Sequence, residues 1–295
     1  MTVAETTPRR TGGTREGTLR RTWEGISIIF RSPVAVVGLV VIVFWVVVAI
    51  FAPVLAPHDP LAQDSSAINQ PPSDQYLLGT DNLGRDITSR LIHGSRTILL
   101  LAPISVFCSV AVGTFLGLLG GYSGGLIDEV VMRILDSIMA FPTILLYLII
   151  IAAIGPSALN VVLAITFVGA PGVARLVRSL TLDIRTRDYI RAAETRGENP
   201  LYIMFFEILP NARGPIIIDS MLRIGYAIFS IGTLGFLGLG LPPPTPDWGG
   251  MISEARKFIW TNPLGVLWPA LAISSLVVAL NLFADGLREE STRYQ

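Results

Sequence analysis

The sequence predicts an all-α protein that crosses a membrane six times. Three observations point there. Hydrophobic residues make up 51% of the 295 and charged residues only 15%, against roughly 25% charged in soluble domains. The apolar residues gather into blocks of about twenty, the length at which a helix crosses about 30 Å of hydrocarbon. Between the blocks lie polar stretches rich in Gly, Pro and charged residues, the usual punctuation between helices. A formal net charge of zero gives no electrostatic case for nucleic acid. The single cysteine, Cys108, sits inside an apolar block, which excludes an internal disulfide and fits a small buried side chain.

In order, the chain reads as a tail and elbow helix (1–32), a first transmembrane helix (33–56), an outer loop (57–96), a core with five transmembrane helices (97–287) and a tail (288–295). Residues 1–17, rich in Thr, Arg and Gly, are expected to be disordered. Leu19, Trp23, Ile26 and Phe30 then share one helical stripe, with Arg20, Arg21, Glu24, Ser27 and Arg31 elsewhere, as in a helix lying in the membrane interface. No apolar core with a small-residue cleavage site occurs in the first 32 residues, so the first span, Val34 to Leu55, is expected to act as its own signal.

The polar region from His58 to Arg96 is too long for a hairpin turn and reads as a folded extramembrane loop. The second span runs from Ile98 to Gly120, with Gly113, Gly117 and Gly121 every fourth residue, a spacing that lets helices pack closely in lipid. The third, Val130 to Ala153, carries Arg133 and Asp136 near one end, expected to pair mutually because a mid-bilayer charge costs at least about 2.5 kcal/mol. Pro142 should kink it. The fourth, Ser157 to Leu176, is expected to break at Pro171. The fifth, Ile216 to Leu237, holds Asp219 and Arg223 one turn apart, a second internal pair. After a glycine-rich end and the non-helical LPPPTPDWGG, MISEARKFIW reads as a short re-entrant or surface helix, and Leu264 to Phe283 is the sixth span.

The chain is organised around the polar interruption DYIRAAETRGENPLYIMFFEILP, Asp188 to Pro210. No helix breaker occurs from Asp188 to Arg196, and Gly197 sits where a left-handed cap closes a helix. Asn199 and Pro200 form an N-cap and first-turn proline, starting a second helix expected to end at Leu209 and Pro210. Tyr189, Ala192, Ala193 and Arg196 share a helical spacing on which the alanines leave the backbone open to a partner.

These residues resemble the EAA loop of bacterial ABC-importer permeases. Ala192, Ala193, Gly197, Leu209 and Pro210 fall in its register, while Arg191 replaces the glutamate and Glu207 an apolar residue. Asp188 and Glu194 are the candidates for the missing carboxylate. Upstream, LLGTDNLGRDITSRLIHGSRTILL, with Gly79, Asp81, Gly84, Arg85, Asp86, Arg90, Gly94 and Arg96, is similar to the signature of the peptide and nickel branch, specifically its C-type component. On the residues themselves, Asp86 capping a helix that carries Arg90 and His93 outranks direct substrate contact.

The resemblance implies a MetI-like permease fold and cytoplasmic coupling helices that dock on an ATPase. It implies a homologous B-type permease, two cytoplasmic ATPase domains holding ATP and Mg, and an extracytoplasmic binding protein that delivers di- or oligopeptides, with nickel, glutathione or haem as alternatives. The chain itself would be no enzyme. Gly79 and Gly84 have phosphate-loop spacing, but Arg85 and Asp86 follow instead of Lys and Ser or Thr, and the one lysine, Lys257, follows no such pattern. Asp81, Asn82 and Asp86 lack calcium-loop spacing, and His58 and His93 are isolated, so no cofactor or metal is expected on this chain.

With the N-terminus inside, about 16 of the 22 basic residues lie in cytoplasmic segments and five outside. The expected location is the bacterial inner membrane with both termini cytoplasmic. A secondary transporter using Asp136 and Asp219 ranks below this reading, because each carboxylate has an arginine within a turn and no inverted repeat is evident. A pore-less anchoring subunit and an intramembrane enzyme rank lower still.

Overall fold

The computed structural model describes residues 32–293. The proposed elbow helix, residues 19–31, lies outside them. Helix α1 covers Pro33–Ile50. Ser32 starts it by accepting the Ala35 N–H (3.3 Å) ahead of a first-position proline, and a short α2, Ala52–Leu55, follows. The polar loop then runs to Asp86, whose carboxylate caps α3, Ile87–Ser123. Residues 87–96 are thus helix, a ten-residue extension of α3 beyond its apolar block. An Asp after a glycine turn is a strong helix start, and Ile87–Arg96 contains no proline to oppose it.

Gly124 (φ 66°) turns the chain into α4, Gly125–Met139, and α5, Thr143–Ile154, follows after a break. The axes of α4 and α5 differ by 90°, so Pro142 breaks the third span where a kink was expected. A proline ring disfavours helical geometry in the residue before it, and Pro142 itself stands at the N-cap of α5 (ψ 124°). Fifteen and twelve residues reach only about 22 and 18 Å, each short of a bilayer alone.

Helix α6, Ala158–Ile184, is continuous through Pro171, against the expectation of a break. Inside a bundle, packing against a neighbouring helix holds a proline in line. Pro171 frees the Phe167 carbonyl, and α3 braces the turn before it, where Ser109 Oγ donates to the Ile165 carbonyl (3.2 Å). A short helix α7, Asp188–Thr195, leads into α8, which runs from Pro200 to Phe236 and is π-helical over Ile203–Ile208. Helix α9 spans Trp248–Ala255, and α10, Leu264–Arg293, completes the described chain, continuing past the expected end at Phe283. Among the described residues five helices are long and apolar enough to cross a membrane, or six spans if the α4–α5 pair counts as one.

The largest interface joins α3 to α6, and α10 packs on α1 and α8. A Cβ on Gly117 would lie 2.5 Å from the Ala174 carbonyl oxygen, and one on Gly113 or Gly121 would meet Val173 or Thr181. The glycine row therefore lets α6 sit against the α3 backbone itself, the contact on which helix association in lipid relies. One buried cluster surrounds Ile98, Ile151, Ile228 and Leu276 in the middle of the bundle, and a second gathers Leu118, Val177, Ile190, Ile203 and Ile208 beneath α7.

Replacing Gly117 with Leu should abolish a monodisperse peak in detergent gel filtration. Gly117→Ala should cost about 1–3 kcal/mol, the usual range for overpacking, read as a lower melting temperature. Gly214→Ala, where an added Cβ meets nothing within 4 Å, should leave the peak intact.

Candidate functional site

The α7 hairpin closes with two capping bonds, Glu198 N–H to Ala193 O (3.2 Å) and Gly197 N–H to Glu194 O (2.9 Å). They form a Schellman motif around Gly197 at φ 77°. Asn199 Oδ1 then accepts the Leu201 N–H (2.9 Å) and Pro200 opens α8. The second helix does not end at Leu209 and Pro210. The π-helical segment widens the turn ahead of Pro210, so the missing N–H falls where the ladder is already shifted.

Amphipathicity divides the two alanines. Ile190 and Ala193 are fully buried against α6 and α8, while Asp188, Tyr189, Arg191, Ala192, Glu194 and Arg196 are exposed. The expected face is therefore corrected to Tyr189, Ala192 and Arg196, because Ala193 belongs to the core beneath it. Glu194 accepts a bond from the Tyr122 hydroxyl (3.3 Å), and Arg196 pairs with Glu198 (2.7 Å), leaving Asp188 and Arg191 without a salt bridge among the described residues. Sequence reasoning missed the stacked rings of Tyr202 and Phe206 (centroids 5.0 Å apart), both exposed at the start of α8. Their i, i+4 spacing was the available signal.

Beside the hairpin, arginines of α6 tie that helix to α3 and α4. Arg178 grips Asp128 with two bonds of 2.5 Å, and Arg185 donates to the carbonyls of Gly121 and Tyr122 (both 3.1 Å). Asp136 bonds Arg175 on α6 at 2.6 Å, whereas Arg133 approaches only Glu129, at 3.8 Å. The expected Arg133–Asp136 pair is therefore replaced by a pair between helices. Residues three apart on α4 do share a face, but α6 offers Arg175 across the interface. Asp219 and Arg223 do pair, at 2.5 Å on α8. They adjoin a cavity of about 390 Å³ lined by Arg223, Tyr226, Ser230, Tyr147, Thr143 and Ser109, a polar strip on otherwise apolar helices.

At the opposite end of the bundle, most of the signature residues form one lock. Asp81 Oδ1 accepts the N–H groups of Leu83 (2.8 Å) and Arg85 (3.0 Å), and Gly84, at φ 72°, lets the turn close against Asp64. Gly79 does the same beside Gln70. Asp86 Oδ1 and Oδ2 accept from Thr88 N and Ser89 N, and Oδ2 also lies 3.3 Å from His58 Nδ1. Arg85 bonds Asp81 (2.7 Å) and Glu254 (2.6 Å), and Arg90 bonds the same two carboxylates. Trp248 packs where a Cβ on Gly94 would collide and donates from Nε1 to the Leu91 carbonyl (2.9 Å). Arg96 stands apart, exposed beside a groove between α1 and α3.

With this geometry in view, the comparisons decide the family. Residues 113–289 match the model of the binding-protein-dependent transport system inner membrane component, and residues 20–72 match the N-terminal TM domain of oligopeptide transport permease C. The chain belongs to the family of binding-protein-dependent inner membrane permeases. It is 42% identical to a dipeptide transport system permease protein of Haemophilus influenzae, covering 86% of this chain and 88% of that one. It is 40% identical to a di/tripeptide transport system permease protein of Pseudomonas aeruginosa (92% and 90% covered) and 39% identical to a glutathione transport system permease protein of Pectobacterium atrosepticum (93% and 92%).

A permease of this family is the membrane subunit of an ABC importer, and its chemistry is binding and movement. The built site therefore has two ends: an exposed hairpin clamped to α3 and α6, and a lock of buried charges beside α9. Within the lock Asp247 caps α9 by accepting the Gly250 N–H (2.9 Å). Burial pushes its carboxyl up to about 6, opposed by the backbone N–H groups of Gly250 and Gly249 and by Arg90, and assisted by Glu254.

The folded permease then binds more protons at Asp247 than the unfolded chain between the ordinary carboxyl range and about pH 6, so stability falls as pH rises through that window. The loss grows up to about pH 6 and levels off above it at about 3 kcal/mol. Asp247→Asn keeps the cap and should lack this component, seen as a difference between the two melting-temperature curves against pH.

Proposed function

We propose that this permease is the C-type half of the translocation path of an ATP-driven peptide importer, with the α7 hairpin as its cytoplasmic coupling element. The observation that carries the reading is the hairpin itself: an exposed face of Tyr189, Ala192 and Arg196 on a short helix whose other face is core. A surface of that kind transmits force, because displacing it must displace Ile190, Ala193 and Ile203, and with them α6 and α8. Docking on one of two cytoplasmic ATPase domains, which hold ATP and Mg, would bias the bundle between outward- and inward-open states. Coupling then means that both sites favour the same conformations.

The excess of arginine at the hairpin end supports cytoplasmic termini, which puts the loop of residues 57–86 on the outer side, toward a substrate-binding protein. The strip of Arg223, Tyr226 and Ser230 is too polar to face lipid and supports a water-filled path, closed on its open side by a homologous B-type permease. Peptides are the cargo named for most of the relatives, and di- or oligopeptides are the substrates proposed here.

The burial pattern shapes the test. Ala192→Arg should cut co-purification of the ATPase in a detergent pull-down at least tenfold, equivalent to about 1.4 kcal/mol, while the permease stays monodisperse. Ala193→Arg, in the core, should instead lose folded protein. An ATPase retained in full by a well-folded Ala192→Arg permease would remove the hairpin from the docking surface.

A further inference from the structure

Between the last turn of α8, the loop that follows it and α9 lies a recess of about 160 Å³, room for about five waters. Two side chains that line it are each only 3% exposed, Arg90 and Asp247. Each has one polar atom without a partner among the described residues, Arg90 Nε and Asp247 Oδ1. A buried polar atom left unpaired costs about 1–3 kcal/mol, more when charged, so both atoms point to something that completes them.

Their surroundings restrict what that is. The guanidiniums of Arg85 and Arg90 are matched by the carboxylates of Asp81 and Glu254. Two buried carboxylates of the lock carry no guanidinium: Asp86 is met by His58 and by the Thr88 and Ser89 N–H groups, whereas Asp247, ionised, has no cationic side chain bonded to it. The complement is a monocation that donates hydrogen bonds. Arg90 Nε–H adds a separate demand for an acceptor close to that cation. A bare metal ion supplies no acceptor, and no group of three or more metal-ligating side chains occurs among the described residues. The first residue of a peptide supplies both, since its α-ammonium and its carbonyl oxygen are held about 3 Å apart by three bonds through Cα and the carbonyl carbon.

We infer that this recess is a subsite for the free N-terminus of a peptide, its α-ammonium on Asp247 Oδ1 and its first carbonyl oxygen on Arg90 Nε. The inference rests on the peptide-importer reading for its ligand and goes beyond it by assigning a place of recognition to the permease itself. The recess lies at the loop end, away from the hairpin, and its wall is formed by Gly235 and Gly240, where a Cβ would come within 2.2 and 3.2 Å of Asp247 Oδ2. Backbone therefore closes the Oδ2 side of the carboxylate, and a ligand reaches it through Oδ1, the oxygen left without a partner. Side chains beyond the first residue would extend out of the recess, so the subsite reads the terminus and not the peptide sequence.

The test uses the full-length permease in detergent and saturation-transfer NMR at millimolar ligand. Dialanine and alanine amide should bind saturably, N-acetyl-alanine amide at least tenfold more weakly, and Asp247→Asn should weaken the first two by a similar factor, about 1.4 kcal/mol. Asn caps a helix as well as Asp, so this variant keeps α9, and an unchanged melting temperature at pH 7 or a raised one certifies the fold. Asp247→Ser, another good cap, guards against a peculiarity of the amide. Equal binding of the acetylated ligand overturns the assignment, as does absence of saturable binding by the wild type. Displacement of the ligand by sodium chloride but not by choline chloride makes the site one for an inorganic cation and also overturns it. Uptake of dialanine by the assembled transporter is scored separately. Uptake without Asp247-dependent binding retires the subsite and leaves the importer, whereas binding without uptake supports the subsite and retires the peptide cargo.

Discussion

Everything else in the molecule hangs on the backbone contact between α3 and α6. In lipid, apolar side chains gain nothing by leaving the solvent, so helices associate through close packing and polar contacts. The row of Gly113, Gly117 and Gly121 brings α6 to within van der Waals distance of the α3 backbone. That contact places Ser109 Oγ on the Ile165 carbonyl and braces α6, which runs unbroken through Pro171. It also sets Arg178 and Arg185 against Asp128 and the last carbonyls of α3, so the same packing that builds the bundle mounts the hairpin on it.

Charge placement follows one rule through the chain. Where arginines and carboxylates are buried they satisfy one another, as in the lock of Asp81, Arg85, Arg90 and Glu254, because an unpaired charge there would cost several kcal/mol. Where pairs are exposed, as in Asp136 with Arg175, geometry is good but solvent or a partner screens them, and they contribute little to stability. Two buried carboxylates depart from the rule. Asp86 meets His58 in place of a guanidinium, while Asp247, at the junction of α8 and α9, bonds no basic side chain.

Local signals in the sequence were read well, because they are local physics. Asp86 as a cap, Asn199 with Pro200 as a helix start and Gly197 as a left-handed stop each depend on a few adjacent residues. The sequence misleads where a distant element decides the outcome. Pro171 reads as a break because the α3 surface that braces α6 is far from it in sequence. Asp136 meets Arg175 only once α6 lies alongside α4, and Ala193 is buried only by the cluster from α6 and α8. Trp248 and Glu254 carried no sequence signal for the lock at all. Their contacts with Leu91, Arg85 and Arg90 join segments more than 150 residues apart.

Helix α8 connects the two ends of this molecule. It starts in the hairpin at Pro200 and ends beside Asp247 at Gly235, a continuous rod of 37 residues and about 55 Å. A rod transmits displacement only where its own ladder holds, and the weakest stretch is the π-helical segment Ile203–Ile208, directly above the hairpin. Five of the six residues in it are apolar, and Ile203, Met204 and Ile208 are buried in the cluster beneath α7. The irregular turn is thus packed rather than free, so motion of α7 passes into α8 as a shift of the whole cluster. A ligand at the far end can bias that shift only by binding one position of the rod better than another. The geometry supplies a reason for it to do so, since the Asp247 carboxylate touches the last turn of α8 itself.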